Sequence, residues 1–379
     1  MTKSLTRRGF LAGVGAVGVG GSRFVANADA MNCVPPNTAD GTKPVPPNAP
    51  NGTKPVPPNT SDGTKPVPPN TADAMNCVPP EYDPNLMVFL ADIHQHDNTV
   101  RWKNGPTQAN EVLPQLVKEI LTLRPLPANA VVFGDFSASS GWVEDFRLAA
   151  AALKPLSDAG IALTLGMGNH DNRSCFLKVF PEYKERCLVP GRIVSKVSTP
   201  NADLILLDTL KTREGKEWAE PAGENNLVDG TIDAAQRQWL NETLAAAKRP
   251  TFVGAHHCAR EVGIVKEIVT APTVYGYIFG HEHVWDENFL HYGYGDSRTV
   301  QTATLPSGGF WGDIGYALFR TFENRAELTV RQTDFYFNRR WQGKPRPKNW
   351  DERVRMHDGR KVTFWYDKPG NFYGNPKIT

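Results

Sequence analysis

Polar residues of the kinds that bind metal ions follow a series of short apolar runs along this chain. Each apolar run, such as residues 86–91 or 161–165, has the length and composition of a buried β-strand. Each polar group therefore falls where a strand ends and a loop begins, which is where α/β proteins collect functional residues. The polar groups, in chain order, are Asp92-Ile93-His94, Gly134-Asp135, Gly168-Asn169-His170-Asp171, His256-His257 and Gly280-His281-Glu282-His283.

Strand patterns alternate with helical patterns in the first half of this region. Strands are predicted at 86–91, 130–133 and 161–165, with helices at 110–123 and 143–156 between them. This βαβαβ order predicts an α/β domain whose strands meet at a common edge. The second half is richer in strands, with a hairpin, one helix and further strands predicted at 193–197, 204–207, 234–247, 251–255, 275–279, 299–304, 314–322 and 328–332.

The histidines are concentrated at the strand ends. Nine occur in the chain, and those in or beside the polar groups are His94, His96, His170, His256, His257, His281 and His283. Asp92 and His94 are two residues apart, as are His281 and His283, so each pair is expected to point to one face without a special backbone conformation. The joint pattern indicates a single metal site assembled from several strand ends.

The chemistry of the donor atoms restricts which metal ions the site could bind. The carboxylate of Asp135 has two oxygens and can bridge two cations, and Asn169 offers an amide oxygen. A mixture of carboxylates, imidazoles and an amide suits Zn²⁺, Mn²⁺ or Fe. The same mixture is poor for Ca²⁺, which prefers all-oxygen ligands, and it lacks the thiolates of structural zinc sites.

The motifs D-x-H, G-D, G-N-H-D, H and G-H-x-H, in this order, resemble those of the calcineurin-like metallophosphoesterase superfamily. The resemblance extends from about residue 86 to residue 285. It implies an α/β fold, a four-layer αββα sandwich with two mixed β-sheets and a dimetal site at the carboxyl-terminal ends of the strands. It also implies two divalent transition-metal ions, Zn, Mn or Fe, as cofactors.

The resemblance assigns the metal ligands position by position. The first metal would be held by Asp92, His94, Asp135 and His283. The second would be held by Asp135, Asn169, His256 and His281, with Asp135 bridging the two. His256 is preferred over His257 because it directly follows the apolar strand. The other histidine is then expected to line the pocket.

The implied activity is hydrolysis of phosphoester bonds, in monoesters or diesters, by a hydroxide that bridges the two metals. His170 would contact the phosphate or protonate the leaving group, with Asp171 orienting its ring. Substrate contacts are considered for His96, Arg173 and His257. A surface position for His96 and a plain salt bridge for Arg173 are the competing interpretations.

Two positions depart from patterns of the superfamily. Ala138 stands where purple acid phosphatases carry a metal-bound tyrosine, so a tyrosinate-bound ferric centre is not expected. Cys258 replaces the proline that often follows the strand-end histidine. The alternative function is a non-catalytic surface or binding protein that retains the phosphoesterase fold. The complete ligand set argues against that alternative.

The chain divides into segments of different composition. Residues 1–30 carry the twin-arginine pattern Arg7-Arg8, a Gly-rich apolar run and small residues for cleavage, and they predict a twin-arginine signal peptide. Residues 31–84 contain an eleven-residue proline-rich repeat that predicts a disordered or polyproline II linker. The phosphoesterase domain is expected at 85–335, and residues 336–379 are expected to form a tail packed on the domain or partly irregular.

These segments and the composition restrict the kinds of partner that the chain is expected to have. The signal predicts the twin-arginine translocase as a partner during export, with a periplasmic or secreted location. The formal net charge of +2 and the scattered basic residues give no indication of a nucleic-acid polymer as partner. No transmembrane segment is expected after signal removal. Cys175 and Cys187 lie twelve positions apart and could form a disulfide. Cys33 and Cys77 lie in identical nine-residue contexts and could pair with each other or between chains.

Overall fold

The computed structural model describes residues 81–97, 109–216, 226–292, 298–309, 312–333 and 357–367. Three predicted segments lie outside these residues, wholly or in large part: the predicted signal peptide, residues 31–80 of the predicted linker and most of the predicted tail. Cys33 and Cys77 do so as well. The interpretation of those segments stays a prediction.

Twelve strands are described. They are β1 (Tyr82–Leu90), β2 (Leu126–Val132), β3 (Ala162–Leu165), β4 (Ser195–Ser198), β5 (Asp203–Leu206), β6 (Thr251–Ala255), β7 (Val274–Phe279), β8 (Asp286–His291), β9 (Thr299–Thr304), β10 (Ile314–Thr321), β11 (Arg325–Thr333) and β12 (Lys361–Trp365). The described helices are α1 (Ala109–Ile120), α2 (Val143–Asp158), α3 (Arg173–Val179), α4 (Tyr183–Arg186), α5 (Ala234–Ala246) and α6 (Val265–Thr270).

The strands form two six-stranded mixed sheets. The first has the order β12-β11-β10-β1-β2-β3, in which β1, β2 and β3 are parallel. The second has the order β4-β5-β6-β7-β9-β8, in which β5, β6, β7 and β9 are parallel and the edge strands are antiparallel. Because parallel strands end at the same edge, the loops after β1, β2, β3, β6 and β7 can reach one site.

Residues along the central strands alternate between two buried faces, and this alternation explains the layered arrangement of helices and sheets. In β1, Met87 and Phe89 pack into the core between the sheets, while Val88 and Leu90 pack against the helices outside the first sheet. Both faces of the strand are therefore apolar, which is why the run reads as continuously hydrophobic. Helix α5 closes the opposite outer face, where Leu240 and Leu244 are buried. The predicted αββα sandwich is confirmed.

Helix α1 shows how local sequence fixes an outer layer. Its apolar residues Val112, Leu116, Val117 and Ile120 recur at helical spacing and are all buried. Helix α5 begins at a side-chain cap, because Asp233 accepts a hydrogen bond of 2.8 Å from the backbone N–H of Gln236.

Within the described residues, no helix has both the length and the apolarity that crossing a bilayer requires.

Some boundaries and elements differ from those predicted. β1 begins at Tyr82, inside the segment assigned to the linker, because Tyr82 pairs with Leu126 at the start of β2. The exposed edge strand β8 and the short helices α3, α4 and α6 lack a clear apolar period and were not predicted. β12, within the unassigned tail, pairs antiparallel with β11. Cys175 and Cys187 are not joined by a disulfide.

Candidate metal centre

The sheet edge brings the predicted ligands together. Asp92 and His94 follow β1, Asp135 follows β2, and Asn169 follows β3 at the carboxyl end of the first sheet. The second sheet contributes from the loops after β6 and β7. Its residues are His256, His281 and His283.

One group of donors lies around the end of β1. Potential ligand atoms of Asp92, His94, Asp135 and His283 all lie within 4.8 Å of one another. His283 Nε2 is 3.2 Å from Asp92 Oδ1 and 3.1 Å from His94 Nε2. All four side chains are buried. Every residue proposed for the first metal is therefore in one cluster.

A second group surrounds the imidazole of His256. Its Nε2 lies 3.1 Å from Asn169 Oδ1, 3.2 Å from His281 Nδ1 and 3.2 Å from Asp135 Oδ2. The same oxygen of Asp135 is 3.7 Å from His94 Nε2 in the first group. One carboxylate oxygen thus lies between the two groups, as a bridging ligand requires.

The hydrogen bonds of two rings fix which nitrogen faces the site. His94 Nδ1 is 3.0 Å from the carbonyl oxygen of Ser137, and His256 Nδ1 is 3.0 Å from that of Phe133. A carbonyl oxygen only accepts, so each Nδ1 carries the hydrogen and donates it. Each Nε2 of the neutral ring then presents its lone pair to the site, as a metal ligand must.

The same reasoning separates His257 from His256. His257 Nε2 lies 3.0 Å from the carbonyl oxygen of Val228, so this nitrogen must donate. His257 Nδ1, 2.8 Å from Thr209 Oγ1, then accepts from that hydroxyl. Both ring nitrogens are thus hydrogen-bonded within the protein, although a ligand atom of His257 lies within 4.8 Å of those of His256 and His281. The ring therefore adjoins the second group of donors, and its contact with a substrate stays a prediction.

The backbone at the site has an unusual conformation. Asp92, His94, Asp135, His281 and His283 all have positive φ, between 41° and 69°. This left-handed region costs residues other than glycine roughly 1–3 kcal/mol each. The expectation that these side chains need no special backbone is therefore wrong. Backbone strain is concentrated at the candidate ligands, a pattern typical of functional sites.

Glycines allow the ligand loops to approach closely. A Cβ atom at Gly168 would lie 2.2 Å from Asp135 Oδ1, and one at Gly134 would lie 2.4 Å from the backbone nitrogen of Gly168. Gly134 also has a φ of +98°. Only glycine fits at these two positions without moving the Asp135 carboxylate or the backbone at Gly168.

Charge at the site suits cation binding. Burial alone would raise the pKa of Asp135, but His256 and His170 hold that pKa well below its usual range. Burial also works to raise the pKa of Asp92, and His283 outweighs it, so that pKa is lowered. Burial lowers the pKa of His94 to about 4. Two carboxylates are therefore ionised at neutral pH beside a neutral imidazole.

The donor set fits a pair of divalent transition-metal ions. His94 Nε2, which carries a lone pair, lies 3.1 Å from His283 Nε2, and His281 Nδ1 is 3.2 Å from His256 Nε2. Converging imidazole nitrogens beside ionised carboxylates are the environment that a cation stabilises. Asp92, His94, Asp135 and His283 form one candidate set. Asp135, Asn169, His256 and His281 form the other.

Metal binding at His256 is expected to release a proton. Burial opposes the charge of this ring, but Asp135 outweighs burial and raises the pKa of His256 to about 9. The metal-free ring is thus protonated at pH 7 and must lose that proton to bind. Apparent affinity should rise by up to about tenfold per pH unit towards pH 9 and then level off. Calorimetric titration in buffers of different ionisation enthalpy should give at least one proton released at pH 7, from the ring together with any metal-bound water. Metal binding without proton release at pH 7 would contradict this assignment.

His170 lies beside the first group of donors. Its backbone N–H donates to Asp135 Oδ1 at 2.8 Å, and its ring meets that of His94 edge-on with 5.1 Å between centroids. Its buried Nδ1 has no hydrogen-bond partner among the described residues. The ring is therefore placed at the site by the backbone.

The predicted role of Asp171 in orienting His170 is wrong. Its Oδ1 accepts from the backbone N–H groups of Phe136 and Ser137, and its Oδ2 accepts from that of Gly168. Both oxygens of this fully buried carboxyl group are occupied by the backbone. Asp171 therefore joins the ligand loops that follow β2 and β3.

The predicted phosphate contact of Arg173 is also wrong. The guanidinium is buried and forms a bidentate pair with Asp208, with both distances at 2.7 Å. It also donates to the carbonyl oxygen of Leu210 at 2.8 Å. The competing interpretation, a structural ion pair, is confirmed.

Replacing Arg173 with Met should lower the free energy of unfolding by about 3–5 kcal/mol, because it leaves the buried Asp208 carboxylate uncompensated. Urea denaturation measures this change. Arg192→Met is the matched control, since its pair with Asp233 is partly exposed and should contribute less than about 1 kcal/mol. Equal effects of the two substitutions would contradict the assignment.

His96 is buried and is not the surface histidine that was considered. Its Nδ1 lies 3.9 Å from Asp145 Oδ1, and its backbone is bonded to the side chain of Asn110. Asp145 also accepts from the hydroxyl of Ser137 at 2.5 Å. His96 thus belongs to the packing beneath the loop that holds His94, and its substrate contact stays a prediction.

The family is decided by a comparison with protein-family models. The model of the calcineurin-like phosphoesterase family matches residues 86–285, more than half of the chain. The chain belongs to this family. The span is the one over which the sequence motifs resemble the superfamily, and the expected relationship is confirmed.

Several solved structures align with most of this chain. A dimetal phosphatase from Danio rerio aligns with a TM-score of 0.51 at 15% identity, covering 75% of this chain and all of that chain. PhoD aligns with a TM-score of 0.45 at 11% identity, covering 67% of each chain. Chaetomium thermophilum Vps29 aligns at 0.32 and 11%, covering 74% of this chain and 98% of that one. The comparison with curated proteins gave no match.

Proposed function

We propose that this calcineurin-like phosphoesterase hydrolyses small phosphate monoesters or diesters with two divalent transition-metal ions, Zn, Mn or Fe. The first ion would be held by Asp92, His94, Asp135 and His283. The second would be held by Asp135, Asn169, His256 and His281.

One observation carries the proposal. Asp135 Oδ2 lies 3.7 Å from His94 Nε2 and 3.2 Å from His256 Nε2, so it is shared by two sets of donors. A structural site for a single ion needs no such shared oxygen. A site for two ions does, because the shared carboxylate offsets the repulsion between the cations.

The charge of the site suits an anionic substrate. The two carboxylates, Asp92 and Asp135, offset only half of the charge of two divalent ions, so a loaded site stays positive. Bound divalent ions lower the pKa of water towards neutrality and stabilise charge on phosphoryl oxygens. His170 would hold the proton that the leaving oxygen receives, since its ring is at the site and its Nδ1 makes no hydrogen bond within the described protein.

The test is turnover of p-nitrophenyl phosphate and of bis(p-nitrophenyl) phosphate by protein purified with Mn²⁺ or Zn²⁺. We expect turnover of at least one ester, its loss on chelation and its return when metal is added back. The ratio of the two rates assigns the enzyme as a monoesterase or a diesterase. His291→Gln, which changes a histidine on edge strand β8, should match the wild type. Tightly bound metal with no turnover of either ester would favour the non-catalytic alternative.

A further inference from the structure

The side chain of Asn226 is bonded to the loop that carries two candidate site residues. Its Nδ2 lies 2.9 Å from the carbonyl oxygen of Asn169 and 2.7 Å from that of Asp171. An amide nitrogen has two hydrogens, and here each is donated to one of these carbonyl groups. The two accepting residues flank His170, so the peptide on either side of that histidine is restrained by one side chain.

We propose that Asn226 is a positioning residue of the metal centre, which holds Asn169 for the second metal and His170 for the substrate. The inference rests on the proposed function, both for Asn169 as a metal ligand and for His170 as a proton donor. No motif indicates this residue, because it lies more than fifty positions from the loop it restrains.

Asn226 is itself anchored to the second sheet. It forms an antiparallel bridge with Thr212, and the next residue, Leu227, donates its N–H to the carbonyl oxygen of Lys211 at 3.0 Å. The segment that contains Lys211 and Thr212 continues from β5 of the second sheet. The loop of Asn169 continues from β3 of the first sheet. Asn226 therefore connects the loop of Asn169, which follows the first sheet, to a segment that follows the second sheet. This connection lies at the edge where both groups of candidate ligands meet.

Hydrogen bonds restrain the backbone at His170 and on both sides of it. Asp135 Oδ1 accepts the N–H of His170 at 2.8 Å, while Asn226 donates to the carbonyl groups before and after it. His170 Nδ1 makes no hydrogen bond to the described residues, so side-chain bonding at that atom does not fix the ring. The position of the ring depends on the backbone, and the backbone depends on Asp135 and Asn226.

An amide is required at position 226, and this requirement distinguishes positioning from space filling. Both partners are carbonyl oxygens, which only accept hydrogen bonds. Asn226→Asp keeps the shape but places a carboxylate oxygen, in the position of Nδ2, against two carbonyl oxygens. Asn226→Ala removes the donors and adds no repulsion. The Asp variant should therefore be more impaired than the Ala variant. A space-filling role predicts the opposite order.

The first measurement is metal binding by the full-length protein, purified metal-free and titrated with Zn²⁺. We expect two equivalents in the wild type. Asn226→Asp should weaken the equivalent that involves Asn169 by about 10- to 100-fold, the usual effect of disturbing groups that orient a ligand. Asn226→Ala should weaken it less. Asn201→Asp is the matched control, because the Asn201 amide bonds to Asn85 at the opposite end of the sheets and should leave both equivalents unchanged.

The second measurement is kcat at saturating metal with phenyl phosphate and with p-nitrophenyl phosphate. A displaced His170 harms the poorer leaving group more, so kcat of the Asp variant should fall further with phenyl phosphate. Wild-type protein that binds two ions without turnover would overturn the proposed function, while the metal titration would still decide the inference. Unchanged Zn²⁺ affinity in both folded variants, or a loss of thermal stability alone, would overturn the positioning role of Asn226.

Discussion

Asp135→Asn is expected to lower kcat/KM by about 10³-fold or more, equivalent to about 4 kcal/mol of transition-state stabilisation. The variant should also lose tight binding of at least one ion. The reason is that Oδ2 of Asp135 is shared by two groups of donors, 3.7 Å from His94 Nε2 and 3.2 Å from His256 Nε2. A neutral amide supplies neither the charge nor the second oxygen of a bridging ligand.

The fold of this variant should be retained. Asparagine has the shape of aspartate, and its side-chain oxygen can still accept the N–H of His170 that Oδ1 accepts now. Circular dichroism and thermal unfolding of the metal-free proteins check this point. Asp229→Asn, which makes the same change in an exposed carboxylate, should keep two ions and full activity. A folded Asp135→Asn protein with two tightly bound ions and wild-type turnover would contradict the account.

His170→Ala is the second large effect that we expect. It should lower kcat by about 10²–10⁴-fold, the usual contribution of a general acid. Both metal ions should remain bound, because no ring atom of His170 belongs to either group of candidate ligands. The loss should grow with the pKa of the leaving group, since a better leaving group needs less help from a proton donor.

Metal analysis and kinetics of the same sample separate the possible roles of His170. His291→Ala is the matched control and should keep both the ions and the rate. If the ions are lost from His170→Ala while the control retains them, His170 is a ligand and the assignment of general acid is wrong. An unchanged kcat with every leaving group would exclude the proton-donor role and leave His170 as a packing residue.

The sequence predicted the positions of the ligand-bearing loops because strand ends are local features. Apolar runs such as 251–255 are strands with the predicted bounds, and the residue after that run, His256, lies at the site. The order of five weak motifs then restricted the fold strongly. Asp92 and His94 are neighbours because only one residue separates them in the chain. The remaining donors lie near them because parallel strands end at the same edge of a sheet.

The roles of Asp171 and Arg173 were not predictable in the same way. Each side chain is defined by partners that are distant in sequence, the N–H groups of the loop after β2 for Asp171 and Asp208 for Arg173. Sequence adjacency to His170 suggested a shared function that burial and hydrogen bonding do not support. The positive φ of the ligands was also unforeseen, since it results from close packing of loops around the site.

His256 and His257 differ in their hydrogen bonds, which their positions in the sequence do not reveal. Both residues follow the same strand, and adjacency to the strand favoured His256. The structure supports that choice for a different reason, because the two rings have opposite hydrogen-bond requirements. His256 donates from Nδ1 and keeps Nε2 available, whereas His257 uses both nitrogens within the protein.

The central claim is that Asp135 joins two metal ions. Anomalous difference maps, from crystals of the protein grown with Zn²⁺ or Mn²⁺ and measured on both sides of the absorption edge of the metal, test it most directly. The account predicts two peaks, one beside Asp92, His94 and His283 and one beside Asn169, His256 and His281, with Asp135 in contact with both. A single peak, or two peaks of which only one contacts Asp135, would contradict it.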